Sequence, residues 1–339
     1  MTQASGLPED LSPDDLVLSS PAAPAPSSSG AVRQPAGAFA HDHSVHHPSD
    51  HPHEAHHAGE LQPSVAGFVE GWQLGLYRDA VVGGALAALA LALLGVFIVL
   101  RRAVFVAATV GQAAGLGVVV AFYASIHWGI TLPPSLGALA FAALASSCVG
   151  RLGRARGLSR DAGLGLGFLV TSSAALALGD RISQEAHEVS SILFGSAVVV
   201  SRGDVVLLGA LCVLVVLAVL ATWRGLAFVG FDPEGARVQN LPVRWLTSGF
   251  WLVVALTIAV CTRVLGALPV FAFSVLPPLA AVVCTRSLRA TLVGASLIGA
   301  GCAALGYVAA YFFALPVGAL QTLCCAAALV PAFVVARLR

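Results

Sequence analysis

From Ala80 onward the chain is a succession of long apolar runs separated by short polar or arginine-bearing breaks. Val81–Leu100 is closed by Arg101-Arg102 and followed by Ala103–Ile126 and Thr131–Gly150. After the break at Arg151–Arg160 come Ala162–Gly179, Val205–Thr222, Trp245–Thr262, Val264–Thr285, Ala290–Phe313 and Ala314–Ala336. Each run holds 18 to 24 residues. A helix rises about 1.5 Å per residue, so about 20 residues cross a hydrocarbon core of about 30 Å. The pattern predicts an all-α, polytopic membrane bundle of about nine transmembrane helices, with eight as the alternative count. Val189–Val200 is too short to cross and reads as an interfacial or re-entrant piece. The runs are rich in Gly, Ala and Ser, as in Gly163-Leu-Gly165-Leu-Gly167. Such residues let helices pack closely in lipid.

Residues 1–66 break the pattern. They are rich in Pro, Ser, Ala, Asp and His and nearly devoid of β-branched and aromatic residues. Such a segment buries too little apolar surface to offset ordering entropy, and is expected to be disordered. It lacks the charged start and apolar core of a signal peptide. The expected organisation is therefore a tail over 1–66 and a transmembrane domain over 67–339. Within the tail, His41, His43, His46 and His47 are followed by His51, His53, His56 and His57, one H-x-H-x-x-H-H pattern repeated at a period of ten. Eight of the ten His thus fall within seventeen residues, beside Asp42, Asp50 and Glu54. Neutral imidazole suits zinc, copper and nickel, and clustered His in a flexible chain can chelate without a preformed site. Weak, exchangeable metal binding is expected; a low-complexity tract without a role is the plainer alternative.

Composition agrees with membrane residence. Hydrophobic residues make up 58% and charged residues 10%, against about 25% charged in soluble domains. A net charge of +1 argues against a nucleic-acid partner. All eighteen basic residues are Arg. Without lysine the chain carries no G-x-x-x-x-G-K-[ST] loop, so nucleotide hydrolysis by that route is excluded. If Arg101-Arg102 lies inside, thirteen of the eighteen Arg fall inside, and only Arg33, Arg78, Arg181, Arg202 and Arg263 outside. The positive-inside rule then predicts a cytoplasmic C-terminus and, with nine spans, an extracytoplasmic tail. The spans contain no acid: Asp161, Asp180, Glu185, Glu188 and Asp204 stand at span ends or in loops. Intramembrane carboxylates mark proton- or ion-coupled carriers, so a pore driven by another subunit fits better. Catalytic motifs such as H-E-x-x-H and G-x-S-x-G are missing, and His127 and His187 lie near span ends. The seven Cys sit in apolar runs without a C-x-x-C pair and read chiefly as small buried hydrophobes, with soft metal ligands or disulfides the alternatives.

The longest polar stretch between later spans is Trp223–Arg244. Within it, Asp232 can cap a short helix with Pro233 in its first turn, which would place Ala236 on a helix at the membrane surface. An ordinary loop is the alternative.

These features together resemble the permease subunits of ABC transporters for zinc, manganese and iron(II). The resemblance runs from about Phe68 to the C-terminus. Gly95-Val-Phe-Ile-Val-Leu-Arg101-Arg102 looks like that family's end of span one, and Ser159-Arg-Asp161-Ala-Gly-Leu-Gly165 like its loop into span four. Ile192-Leu-Phe194-Gly195-Ser196 with Ser201-Arg-Gly-Asp204 is similar to its outer segment before span five. Phe231-Asp232-Pro233-Glu234-Gly235-Ala236 with Leu241-Pro242-Val243 is similar to its cytoplasmic signature. Val264-Leu-Gly266-Ala-Leu, Pro277-Pro278-Leu-Ala280-Ala281 and Leu315-Pro316-Val-Gly318 complete an ordered series. One stretch departs from the family. Where relatives show Gly-Asp-Ala-Leu-Ser-His-Ala, this chain reads Ala107-Ala-Thr-Val-Gly-Gln112-Ala113, so Ala108 replaces the acid and Gln112 the His.

The resemblance implies a non-enzymatic permease in the inner cell membrane that works by alternating access on a divalent ion of the zinc or manganese class. It implies no permanently bound cofactor. Expected partners are cytoplasmic ATPase subunits, an extracytoplasmic metal-binding protein and a second copy of the chain. Asp232, Pro233, Glu234 and Ala236 are expected to couple to the ATPase. Gln112 is not matched to the family's path ligands. Standing ten residues after Arg102 and so near mid-membrane, it is expected from that depth to line the translocation path, with an interhelical hydrogen bond as the alternative. A secondary metal carrier, or a membrane scaffold with a metal-collecting tail, is the alternative.

Overall fold

The computed structural model describes residues 65–152, 160–182 and 200–338. Among these the secondary structure is helical, with no strand. The helices are α1 (Val65–Gln73), α2 (Leu76–Leu100), α3 (Val104–Trp128), α4 (Pro134–Leu152), α5 (Arg160–Asp180) and α6 (Arg202–Phe231). They continue with α7 (Pro233–Val238), α8 (Val243–Leu265), α9 (Ala267–Cys284), α10 (Leu288–Phe313) and α11 (Val317–Arg337). Eight of them, α2, α3, α5, α6, α8, α9, α10 and α11, are long and apolar enough to cross a membrane. Helix α4 carries a shorter apolar stretch, Pro134–Cys148. The 189–199 part of the expected re-entrant piece and the His-rich tract lie outside the described residues.

Local chemistry sets the helix ends. Ser201 and Ser287 cap α6 and α10 by accepting from the amides of Asp204 at 3.2 Å and Ala290 at 3.3 Å. Gly129 ends α3 in the left-handed conformation, φ 65°. The apolar run Val264–Thr285 is not one helix: Gly266, at φ 93°, separates α8 from α9. Similarly, the last run begins at Ala314, but its helix starts only at Val317, after Pro316. A proline disfavours helical backbone in the residue before it.

Helix α2 forms the centre of one half of the bundle, against α6, α9 and α10; α3 centres the other, against α4, α5, α8 and α9. Both helices are rich in Ala, Gly and Val, with Leu added in α2, and most of α3 is buried. Backbones therefore approach closely. A Cβ on Gly117 would run into the Gly137 carbonyl, and one on Gly137 into that of Gly117, so α3 and α4 meet without side chains between them. Gly117→Val should force these helices apart at about 1–3 kcal/mol, as overpacking does, seen as a lower midpoint in thermal unfolding. An unchanged midpoint would mean that the α3–α4 crossing is loose.

The bundle's two ends are chemically different. At one, Asp79 pairs with Arg202 at 3.5 Å and Arg78 at 3.8 Å, and Asp204 with Arg263 at 3.5 Å. At the other, Arg101 donates to the Leu226 carbonyl at 3.3 Å and lies 4.6 Å from the Phe250 ring centroid. The start of α6 and the end of α8 thus share the Asp79 end. The end of α6 and the start of α8 share the Arg101 end, where α7 bridges them.

Candidate functional site

Asp232 is the hinge between α6 and α7. It ends α6, and its carboxylate accepts from the Gly235 amide at 2.8 Å, with Pro233 opening α7. The expected N-cap and first-turn proline are both present. A side chain on Gly235 would collide with the capping carboxylate, which explains the glycine there. The turn closes where the Leu241 amide donates to the Ala236 carbonyl at 3.0 Å, beside Asn240 at φ 56°. The residues of this segment play different parts. Ala236 is fully buried and seats α7 on the bundle, whereas Glu234, Arg237 and Val238 are exposed. Beside α7 a cleft of about 530 Å³ is lined by Arg237, Arg244, Ser146, Ser147 and Trp251, among others.

The second cluster lies within the bundle. Thr109 on α3 can donate to its own helix at Phe105 or across to the Leu164 carbonyl of α5, both at 2.9 Å. Gln112 follows on the stripe 112, 116, 119 and 123, one face of a helix. Leu116 and Val119 of that stripe pack against Ala175 and Ile182, so Gln112 stands on the α5 side of α3. It is half-buried, and its Oε1 is buried without a hydrogen-bond partner among the described residues. The neighbouring Gly111 faces Thr262 of α8, whose buried Oγ1 is likewise unpartnered. A third such oxygen belongs to Gln321 on α11, although its Nε2 donates to the Ala303 carbonyl at 3.1 Å. Buried polar atoms without a protein partner call for water or an ion. Gln321 is sealed at 1% exposure; Gln112 is the one of the two amides with an open side.

A profile of the ABC 3 transport family matches residues 73–336, well over half of the chain. The chain belongs to the ABC 3 transport family. The protein is similar to the "Probable iron transport system membrane protein" of Haemophilus influenzae, 25% identical over 272 residues covering 80% of this chain and 98% of that one. It is also similar to the "Manganese import system permease protein ScaB" of Streptococcus gordonii, 25% identical over 66% of this chain and 78% of the relative. Its fold is that of a chain in the solved structure of PsaBC from Streptococcus pneumoniae in complex with Fab, with TM-score 0.70 and 20% identity over 80% of this chain and 95% of that one.

In this ABC 3 family member, the predicted site residues fall into three groups. Asp232, Pro233, Glu234 and Ala236 come together on α7 and its cap. Gln112 lies apart from them, eight residues into α3. His41, His43, His46, His47, His51, His53, His56 and His57 lie outside the described residues. Among the described residues no three His, Cys, Asp or Glu side chains converge as a metal-ligand set. His127 stacks on Tyr123 with ring centroids 4.1 Å apart, near the end of α3. Thr109, Thr262 and Gly235 were not singled out from the sequence. Only Gly235 left a readable signal, as the small residue two places after a proline at a helix start.

Proposed function

We propose that this protein is the membrane-spanning permease of an ATP-driven importer of divalent transition metal ions, of the zinc or manganese class. The family match across the helical domain carries the permease reading, relatives named for iron and manganese support a metal cargo, and the manganese relative favours the class named. Two copies form the pore in the inner membrane. The Arg101 end and the C-terminus face the cytoplasm, and α7 receives a separate ATPase subunit there. An extracytoplasmic binding protein delivers the ion at the Asp79 end. ATP turnover biases two packed states of the bundle, each open to one side. The ion passes Gln112, whose amide oxygen is a harder and weaker ligand than imidazole, so it holds the ion briefly. The test is metal uptake by cells that express this chain with and without its ATPase partner, read by elemental analysis. Uptake that needs the ATPase and survives collapse of the proton gradient is expected; uptake by the chain alone that dies with the gradient would make it a secondary carrier.

The His-rich tract serves as a collector that raises local ion concentration. Deleting 41–57 should lower metal bound per chain and reduce uptake mainly when metal is scarce. Imidazole binds metal only when neutral, so retention by the parent should weaken below about pH 6 as the rings gain protons. Equal retention by the deletion variant, measured after gel filtration, would make the tract inert.

A further inference from the structure

Between α6 and α10, with α2 as its floor, runs an apolar groove of about 570 Å³. Leu93 lies at its base, and Leu220, Val293 and Leu297 on its walls are 60–68% exposed. The one hydroxyl in the wall, Ser296, is bonded to the Leu292 carbonyl at 2.8 Å, so the groove offers no free polar group along its length. At the Arg101 end it closes on Trp223 and two arginines. The Arg224 and Arg289 guanidinium carbons lie 5.3 and 5.2 Å from the Trp223 ring centroid. Neither pairs with a carboxylate among the described residues. From this cationic end the groove extends along α6 to Val216 and along α10 to Leu297, about 10–12 Å at 1.5 Å per residue.

We propose that this groove holds one anionic phospholipid, with its phosphate between Arg224 and Arg289 and an acyl chain lying over Leu93 between Leu220 and Leu297. Charge complementarity selects the occupant. Two arginines without acidic partners among the described residues, held by a tryptophan, form a phosphate site near the end of the span, where membrane proteins place aromatic rings. Arginine's planar donors suit the phosphate of either lipid class, but a zwitterion's own ammonium offsets that charge, so two arginines favour the net-anionic lipid. The unbroken apolar wall suits an acyl chain, because an extended peptide would leave its backbone polar groups unmet there.

The test reconstitutes the full chain in membranes of equimolar phosphatidylglycerol and phosphatidylcholine, washes it in mild detergent, and reads retained lipid by native mass spectrometry. Phosphatidylglycerol should dominate. With both basic contacts to the headgroup lost, the double variant R224Q/R289Q should lower the retained glycerol-to-choline ratio by roughly tenfold or more. R286Q, which removes a nearby charge outside the groove, should leave the ratio unchanged, and gel filtration checks that both variants stay folded. Equal retention of the two lipids by the parent, or an equal loss in R286Q, overturns the proposal. So does thermal protection by free glycerol phosphate equal to that by the lipid, since the acyl groove would then be idle. Disulfide-linked dimers of L297C formed in phosphatidylglycerol membranes would place a second copy over the groove and equally overturn it.

Discussion

Gln112→Leu is expected to cut metal uptake by roughly tenfold or more while leaving the bundle as stable as the parent or slightly more so. The two halves of this result have one cause. The Gln112 Oε1 is buried without a hydrogen-bond partner among the described residues. An unmet buried acceptor costs about 1–3 kcal/mol, and leucine of similar size removes that cost. The same oxygen, if it faces the passing ion, contributes about 1.5–3 kcal/mol to holding a charge, and its loss slows transit by one to two powers of ten. A purely structural amide predicts the opposite signs, lower stability with uptake intact. Gln112→His carries the complementary expectation. Imidazole binds zinc-like ions more firmly, so metal retained per chain should rise, selectivity should shift towards zinc, and turnover should fall. Thermal unfolding and uptake measured on the same preparations separate the readings. If both variants transport like the parent, Gln112 lies off the path.

Glu234→Arg is expected to abolish stimulated ATPase activity and co-purification of the ATPase subunit without unfolding the permease. Glu234 is exposed on α7, so reversing its charge disturbs nothing inside this chain. Truncating or reversing one partner of a buried interfacial charge pair costs about 2–5 kcal/mol, enough for at least a tenfold weaker complex. Ala236→Arg should produce the same functional loss by a different route. Ala236 has 0% exposure, so arginine there unseats α7 from the bundle and should also lower thermal stability. Stimulated ATPase activity at parental levels in Glu234→Arg would remove the exposed face of α7 from the coupling surface.

The spanning helices were legible because each needs about 20 apolar residues in a row, and that demand comes from the bilayer. The short helix at Pro233 was legible for a local reason: its cap, proline and glycine lie within four residues. Where the expectation and the structure part, the cause is backbone geometry hidden inside an apolar run. Gly266 divides α8 from α9 although hydropathy continues across it.

The length of the apolar runs and the composition by themselves determined an all-helical membrane protein, the approximate limits of its spans and Gln112 as a polar residue in an apolar span, and they offered the Asp232 cap as one of two readings. These are properties of consecutive residues and of the solvent they must suit. Tertiary structure alone decided that Ala236 is an anchor and Glu234 a free face, because inward and outward on a six-residue helix depend on what α6 and α8 present beneath it. It also decided that Thr262 lies beside Gly111, and that Arg224 and Arg289, 65 positions apart in the chain, meet over one tryptophan. Such pairings arise from which helices pack together. In a chain whose spans are uniformly apolar and small, many packings bury similar surface, and the choice among them rests on close backbone contacts such as Gly117 on Gly137.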